Sequence, residues 1–162
     1  MQSKKGEHPL GDAGQLILFG IFLITWILDS FVLHRSTFLA ESIPPFIRLI
    51  FLATALVVAF LLFKSGHEAV IGEQRPSRII SAGAFAYVRH PLYLGSILVY
   101  LGLTVSTASL FCLALLVAIV LFYNTIAGYE EKLMEARFGQ AYIAYKKNTG
   151  RWIPHFSRRG QP

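Results

Sequence analysis

The sequence predicts an all-α fold: a polytopic membrane helix bundle of about four transmembrane or embedded helices, followed by a C-terminal cytoplasmic amphipathic helix. Apolar side chains make up 54% of the 162 residues and charged ones only 15%, with a mean hydropathy of +0.54. A soluble domain carries about 25% charged residues, and a short chain has too little interior to hide so much apolar surface from water. Residues 91–129 then run for 39 positions without one Asp, Glu, Lys or Arg. The same numbers exclude intrinsic disorder. The single cysteine, Cys112, lies inside an apolar run and excludes a disulfide scaffold.

Crossing a bilayer takes about 20 mostly apolar residues. The first span is 15–33, interrupted only by Asp29. No small-residue cleavage site follows it, so it is read as retained and not as a secretory signal. Asp29 is a functional candidate by its position, with snorkelling to the far interface as the cheaper explanation. The second span is 45–63, with Arg48 near its start. The run 91–129 is too long for one crossing and divides at the polar cluster 104–109. This gives a hairpin of 92–103 and 110–129, its first arm short enough to be embedded or shielded by its neighbours.

Four crossings place both termini on one side. Thirteen of the 15 basic residues fall there, with only Arg35 and Arg48 on the other. By the positive-inside rule the termini and the central loop 64–90 are cytoplasmic. That distribution accounts for the net charge of +6 without a nucleic-acid partner, and no RNA-recognition motif accompanies it. Chemistry on water-soluble groups then belongs to 64–90 and 130–162, on the same membrane face.

Two constellations lie at the ends of the predicted hairpin. Tyr87-Val-Arg89-His90-Pro91-Leu92-Tyr93-Leu-Gly95 leads the loop into the third helix. Pro91 suits the first helical position, and the free N–H groups of that turn favour anions. The plainer reading makes Arg89 and the tyrosines interfacial anchors. Glu130-Glu131 closes the uncharged run, where isolated charge is costly and partners are expected. The plainer reading there is a helix leaving the bilayer. Because the fourth helix returns antiparallel to the third, both glutamates should lie near Arg89, His90 and Tyr93. Carboxylates for hydroxyls or a cation, a π-face, and a basic helix start suit a ligand combining a nucleoside, a carboxylate and a positive centre. A third stretch, Phe138-Gly139, Tyr142, Tyr145-Lys146-Lys147 and Arg151-Trp152-Ile-Pro154, reads equally well as an amphipathic helix on the membrane surface. His8, His34, His67 and His155 have no metal-site spacing, so no metal is expected.

These residues closely resemble the isoprenylcysteine carboxyl methyltransferase family, whose wider superfamily includes phospholipid methyltransferases. The match runs from Gly83 to Gly95 and on through Glu130-Glu131, Phe138-Gly139, Tyr142, Tyr145 and Pro154, covering roughly 77–154. The resemblance implies an integral membrane enzyme that moves a methyl group from S-adenosyl-L-methionine to a lipophilic or small-molecule acceptor. It implies a single domain over 1–162: an N-terminal helix pair and loop at 1–76, a cofactor-binding catalytic core at 77–154 and a tail at 155–162. By resemblance, Ser77, Arg78, Ile79, Ile80, Phe85, His90, Pro91, Leu92 and Tyr93 bind the cofactor, and Arg89, Glu130 and Glu131 are catalytic. Phe85 stands where relatives often have tyrosine. Ile126 and Asn148 stand where the prenylcysteine enzymes carry arginines, which argues against a prenylcysteine carboxylate as acceptor. A prokaryotic cytoplasmic membrane, surrounded by membrane lipids, is the expected setting. A nicotinamide-dependent membrane reductase and a non-catalytic membrane protein are the alternatives.

Overall fold

The computed structural model describes residues 11–71 and 79–154. Five α-helices form it: α1 Gly11–Ile27, α2 Pro45–Ile71, α3 Pro91–Thr107, α4 Leu110–Phe138 and α5 Gln140–Asn148. No strand occurs among the described residues. The all-helical bundle expected from composition is the observed fold, and three of its segments, Ala13–Leu33, Pro45–Val70 and Leu110–Phe138, are long and apolar enough to cross a membrane. Most of the exposed large apolar side chains lie on these three, among them Leu16, Ile24, Leu49, Phe60, Val117 and Leu121. In water such a surface would be an aggregation liability, whereas in lipid it is the solvated face. The chain is a membrane protein.

α3 is shorter, at 17 residues, about 25 Å at ~1.5 Å per residue. It contributes none of the exposed large apolar side chains, so its neighbours shield it, as its length suggests. Small residues let α2 approach it closely. A methyl group built on Gly102 would come within 3.1 Å of Ala55 Cβ and Leu52 Cδ1. On the other side of α3, Phe22, Tyr100, Cys112, Leu116, Ile119 and Tyr123 form the core between α1, α3 and α4.

The polar cluster 104–109 does not break α3 where the sequence reading ended it. Thr104 Oγ1 donates to the Tyr100 carbonyl at 2.8 Å, and Ser106 Oγ to the Leu103 carbonyl at 2.7 Å. Hydroxyls satisfied on the preceding turn leave the helix intact. The reversal comes later, at Ala108, which adopts left-handed backbone (φ +52°). Ser109 then caps α4 by accepting the Cys112 N–H at 3.2 Å.

Asp29 does not snorkel to the interface. It lies in a π-helical turn, Leu28–Leu33, and is 2% exposed. Its Oδ1 accepts the Arg35 and Ser36 amides at 3.1 and 3.0 Å, and its Oδ2 accepts the Ser36 and Ser109 hydroxyls at 2.5 and 2.6 Å. One carboxylate therefore ties the end of α1, the following loop and the start of α4. Arg48 works at the same end: its Nη1 donates to the Ser106 carbonyl at 2.7 Å. This end is stapled, and the pocket lies at the other.

Candidate active site

The chain enters α3 through Gly83–Ala86, a 3-10 turn, and then Val88-Arg89-His90. Pro91 occupies the first helical position, as expected, and His90 precedes it in non-helical backbone with no side-chain cap. Val88 makes an isolated parallel bridge with Gly150, and the Arg89 amide donates to the Gly150 carbonyl at 2.9 Å. The segment after α5 is thereby held against the entrance to α3.

α4 continues past the bilayer-length stretch and presents Glu130 and Glu131 to this junction. Neighbours on a helix point about 100° apart, and the two carboxylates have different surroundings. Glu130 faces the cavity: the Tyr93 hydroxyl donates to its Oε1 at 2.6 Å, and His90 Nδ1 is 3.6 Å from its Oε2. Glu131 is 1% exposed and lines neither of the two cavities described below. Arg89 Nε donates to its Oε1 at 3.0 Å, and Arg151 grips both oxygens, Nε to Oε1 at 2.9 Å and Nη2 to Oε2 at 2.8 Å. Lys146 Nζ lies 3.4 Å from Oε2. A carboxylate buried this deeply needs such partners.

The same cations fix the surrounding backbone. Arg89 Nη1 donates to the carbonyls of Lys146 and Thr149. Arg151 Nη1 and Trp152 Nε1 both donate to Asn124 Oδ1, at 2.9 and 3.3 Å. Lys146 also pairs with Glu135 at 2.6 Å, and that hydrogen bond raises the lysine's pKa above its ordinary value. The hydrogen bond to Glu131 does the same for Arg151. Burial pushes the Tyr142 phenol up, and the Tyr145 phenol up to about 12. Both stay neutral, and Tyr145 donates to the Phe85 carbonyl at 2.7 Å.

Two cavities adjoin this core. One, of about 180 Å³, is lined by Ile79, Ile80, Phe85, Arg89, His90, Glu130, Met134, Phe138, Tyr142 and Tyr145. The other, of about 150 Å³, is lined by Phe85, Arg89, His90, Pro91, Leu92, Tyr93 and Glu130. They share Phe85, Arg89, His90 and Glu130, so Glu130 stands where the two lobes meet.

The profile of the phospholipid methyltransferase family matches residues 46–141. The chain belongs to that family. This membership agrees with the wider superfamily that the Arg-His-Pro and Glu-Glu elements resemble. The family match takes in α2, α3 and α4, so it includes both ends of the hairpin and the first residues of α5. Methanethiol S-methyltransferase of Crocosphaera subtropica is 27% identical over 166 residues, 94% of this chain and 55% of the relative. The protein of the same name from Pseudomonas deceptionensis is 30% identical over 115 residues, 68% of this chain and 42% of the relative. The chain thus spans about half the length of the curated relatives it matches.

Of the residues expected from sequence, Ile79, Ile80, Phe85, Arg89, His90, Pro91, Leu92, Tyr93 and Glu130 line one or both cavities. Ser77 and Arg78 lie outside the described residues. Glu131 sits behind the wall, and Ile126, 2% exposed, lines neither cavity. Met134, Phe138, Tyr142 and Tyr145 are cavity residues that the sequence reading left out of the site. Their signal was spacing: Glu130, Met134 and Phe138 recur every four residues on one helical face, and Tyr142 and Tyr145 are three apart on the next. An amphipathic helix on the membrane surface accounts for the same tyrosine spacing, but α5 folds back over α4 and brings both rings to the cavity.

Proposed function

We propose that the protein is an integral membrane methyltransferase that takes its methyl group from S-adenosyl-L-methionine and gives it to a small, uncharged thiol. The observation that carries this reading is the place of Glu130 at the junction of two cavities, in a chain of the phospholipid methyltransferase family. The larger lobe fits the donor. Phe85, Phe138, Tyr142 and Tyr145 offer aromatic faces to a planar base or a sulfonium, and Glu130 offers the counter-charge. When bound, the donor would supply a methyl group already attached to a good leaving group.

The smaller lobe, with Pro91, Leu92 and Tyr93, suits the acceptor. Its lining is apolar apart from Arg89, His90, Tyr93 and Glu130, and Arg89 is committed to Glu131 and to the Lys146 and Thr149 carbonyls rather than to an acceptor carboxylate. The curated relatives are named for a thiol acceptor, which supports the same choice. The residues' task is then largely positioning and exclusion of water, with Glu130 taking the thiol proton as general base. The family membership favours this over a reductase or a non-catalytic protein. Both termini face the cytoplasm, which is the side the basic residues mark, in a prokaryotic cytoplasmic membrane. Cysteines introduced at Lys64 and Arg35 should react with an impermeant maleimide from opposite sides, and the reverse sidedness would overturn the orientation.

Calorimetric titration of S-adenosylhomocysteine into detergent-purified protein tests the donor site. Saturable binding is expected, and the double variant His90→Ala, Glu130→Gln should lose it. A folded wild type that binds none would remove the methyltransferase reading.

A further inference from the structure

The His90 imidazole lies between two carboxylates that differ in what they can still do. Its Nδ1 is 3.6 Å from Glu130 Oε2, and its Nε2 is 3.4 Å from Glu131 Oε1. The side chain is nine-tenths buried, stacked parallel on Tyr93 with centroids 5.6 Å apart, and flanked by Trp152 at 5.9 Å. Nε2 is buried and makes no well-formed hydrogen bond, a costly state for a polar atom. A few tenths of an ångström toward Glu131 would relieve it. Glu131 can only accept there, because Arg89, Arg151 and Lys146 hold it as an anion. An acceptor locked as an anion opposite Nε2 keeps a hydrogen on that nitrogen, so Nδ1 is the ring atom that exchanges a proton with Glu130, the carboxylate that can itself be protonated. Among the described residues, Arg89, Lys146 and Arg151 stand against Glu130, Glu131 and Glu135 around the ring. A proton arriving on Nδ1 places the new positive charge between two carboxylates.

We propose that His90 relays the acceptor's proton away from Glu130, with Glu131 as the positioning residue that sets the histidine tautomer. The proposal rests on the thiol-methyltransferase reading. As the thiol S–H bond breaks, its electron pair forms the new S–C bond, and the methyl group leaves a sulfonium sulfur that keeps the old bond's pair. The proton passes to Glu130 and from there to His90 Nδ1, which returns Glu130 to a carboxylate. The imidazolium then releases the proton to water before the next turnover.

Two measurements decide it. Nitrogen-15 NMR of protein labelled in its imidazole rings, with the His90 signals assigned by their loss in His90→Gln, reads the tautomer without any turnover. In the neutral ring, hydrogen on Nε2 and a bare Nδ1 are expected, and the opposite tautomer overturns the relay. Methyl transfer by wild type and His90→Gln is then compared on an alkanethiol and an arenethiol. The arenethiol is already largely ionised and needs little help from a base. The loss on the alkanethiol should exceed the loss on the arenethiol by about tenfold or more, the low side of what acid–base groups contribute. Equal losses overturn the relay and leave thiol methylation standing. A wild type that methylates neither thiol overturns the proposed function, and the relay with it.

Discussion

Truncating Glu131 to alanine leaves Arg89, nine-tenths buried, without its carboxylate and releases the grip of Arg151 on α4. Breaking a buried ion pair by removing one partner costs about 3–5 kcal/mol, so Glu131→Ala should unfold well below the wild type in a detergent melt. Glu130→Gln keeps the shape and the Tyr93 contact while removing the base. It should melt close to wild type and lose about a hundredfold in methyl transfer, which labelled-donor kinetics would read. A Glu131→Ala variant as stable as wild type would contradict the division of labour between the two. That division is not legible in the sequence. Topology alone brings Arg89, His90, Tyr93, Glu130 and Glu131 together, because α4 runs back along α3. Which glutamate meets the cavity depends on the rotation of α4 and on the docking of Arg151 from a segment 20 residues away, and no local pattern encodes either.

Between elements, the closest approaches carry the clearest consequences. Gly102 lets α2 lie against α3, and a valine there has to displace Ala55 and Leu52. Gly102→Val should cost about 1–3 kcal/mol by overpacking, seen as a lowered melting temperature. At the opposite end, Asp29→Ala leaves two amides and two hydroxyls without their acceptor and should cost at least about 2 kcal/mol. α5 responds to pH instead. Its tyrosines are phenols whose folded-state pKa values lie above the ordinary 10.0 because of burial, Tyr145 at about 12. Above pH 10 the unfolded chain gives up these protons while the folded chain keeps them. Stability therefore falls as pH rises from about 10 to about 12. An absorbance titration of tyrosinate should show these rings ionising late, together with loss of the helix. The helices themselves are readable from hydropathy, since the lipid-facing side chains of α1, α2 and α4 need no partner. The end of α3 is not, because hydroxyls that look like a turn in sequence are satisfied on their own helix.

At the scale of the whole molecule, the two ends of the bundle are built on different terms. The Asp29 end is closed by hydrogen bonds among α1, α4 and their loops, and Cys112 lies there fully buried. A membrane-permeant maleimide should label Cys112 only when the bundle opens, so labelling rate against temperature reports global unfolding; rapid labelling of the folded protein would show the core is looser than described. The other end is closed by the segment after α5, through the Val88–Gly150 bridge and the Arg151 grip on Glu131. That closure has a consequence for biosynthesis. The spans can enter the bilayer one after another as they leave the ribosome, yet the pocket has no finished wall until Arg151 has emerged and folded back. A closed pocket is then a property of a chain translated at least that far, and a nascent chain stalled within α5 would sit in the membrane inserted but without it.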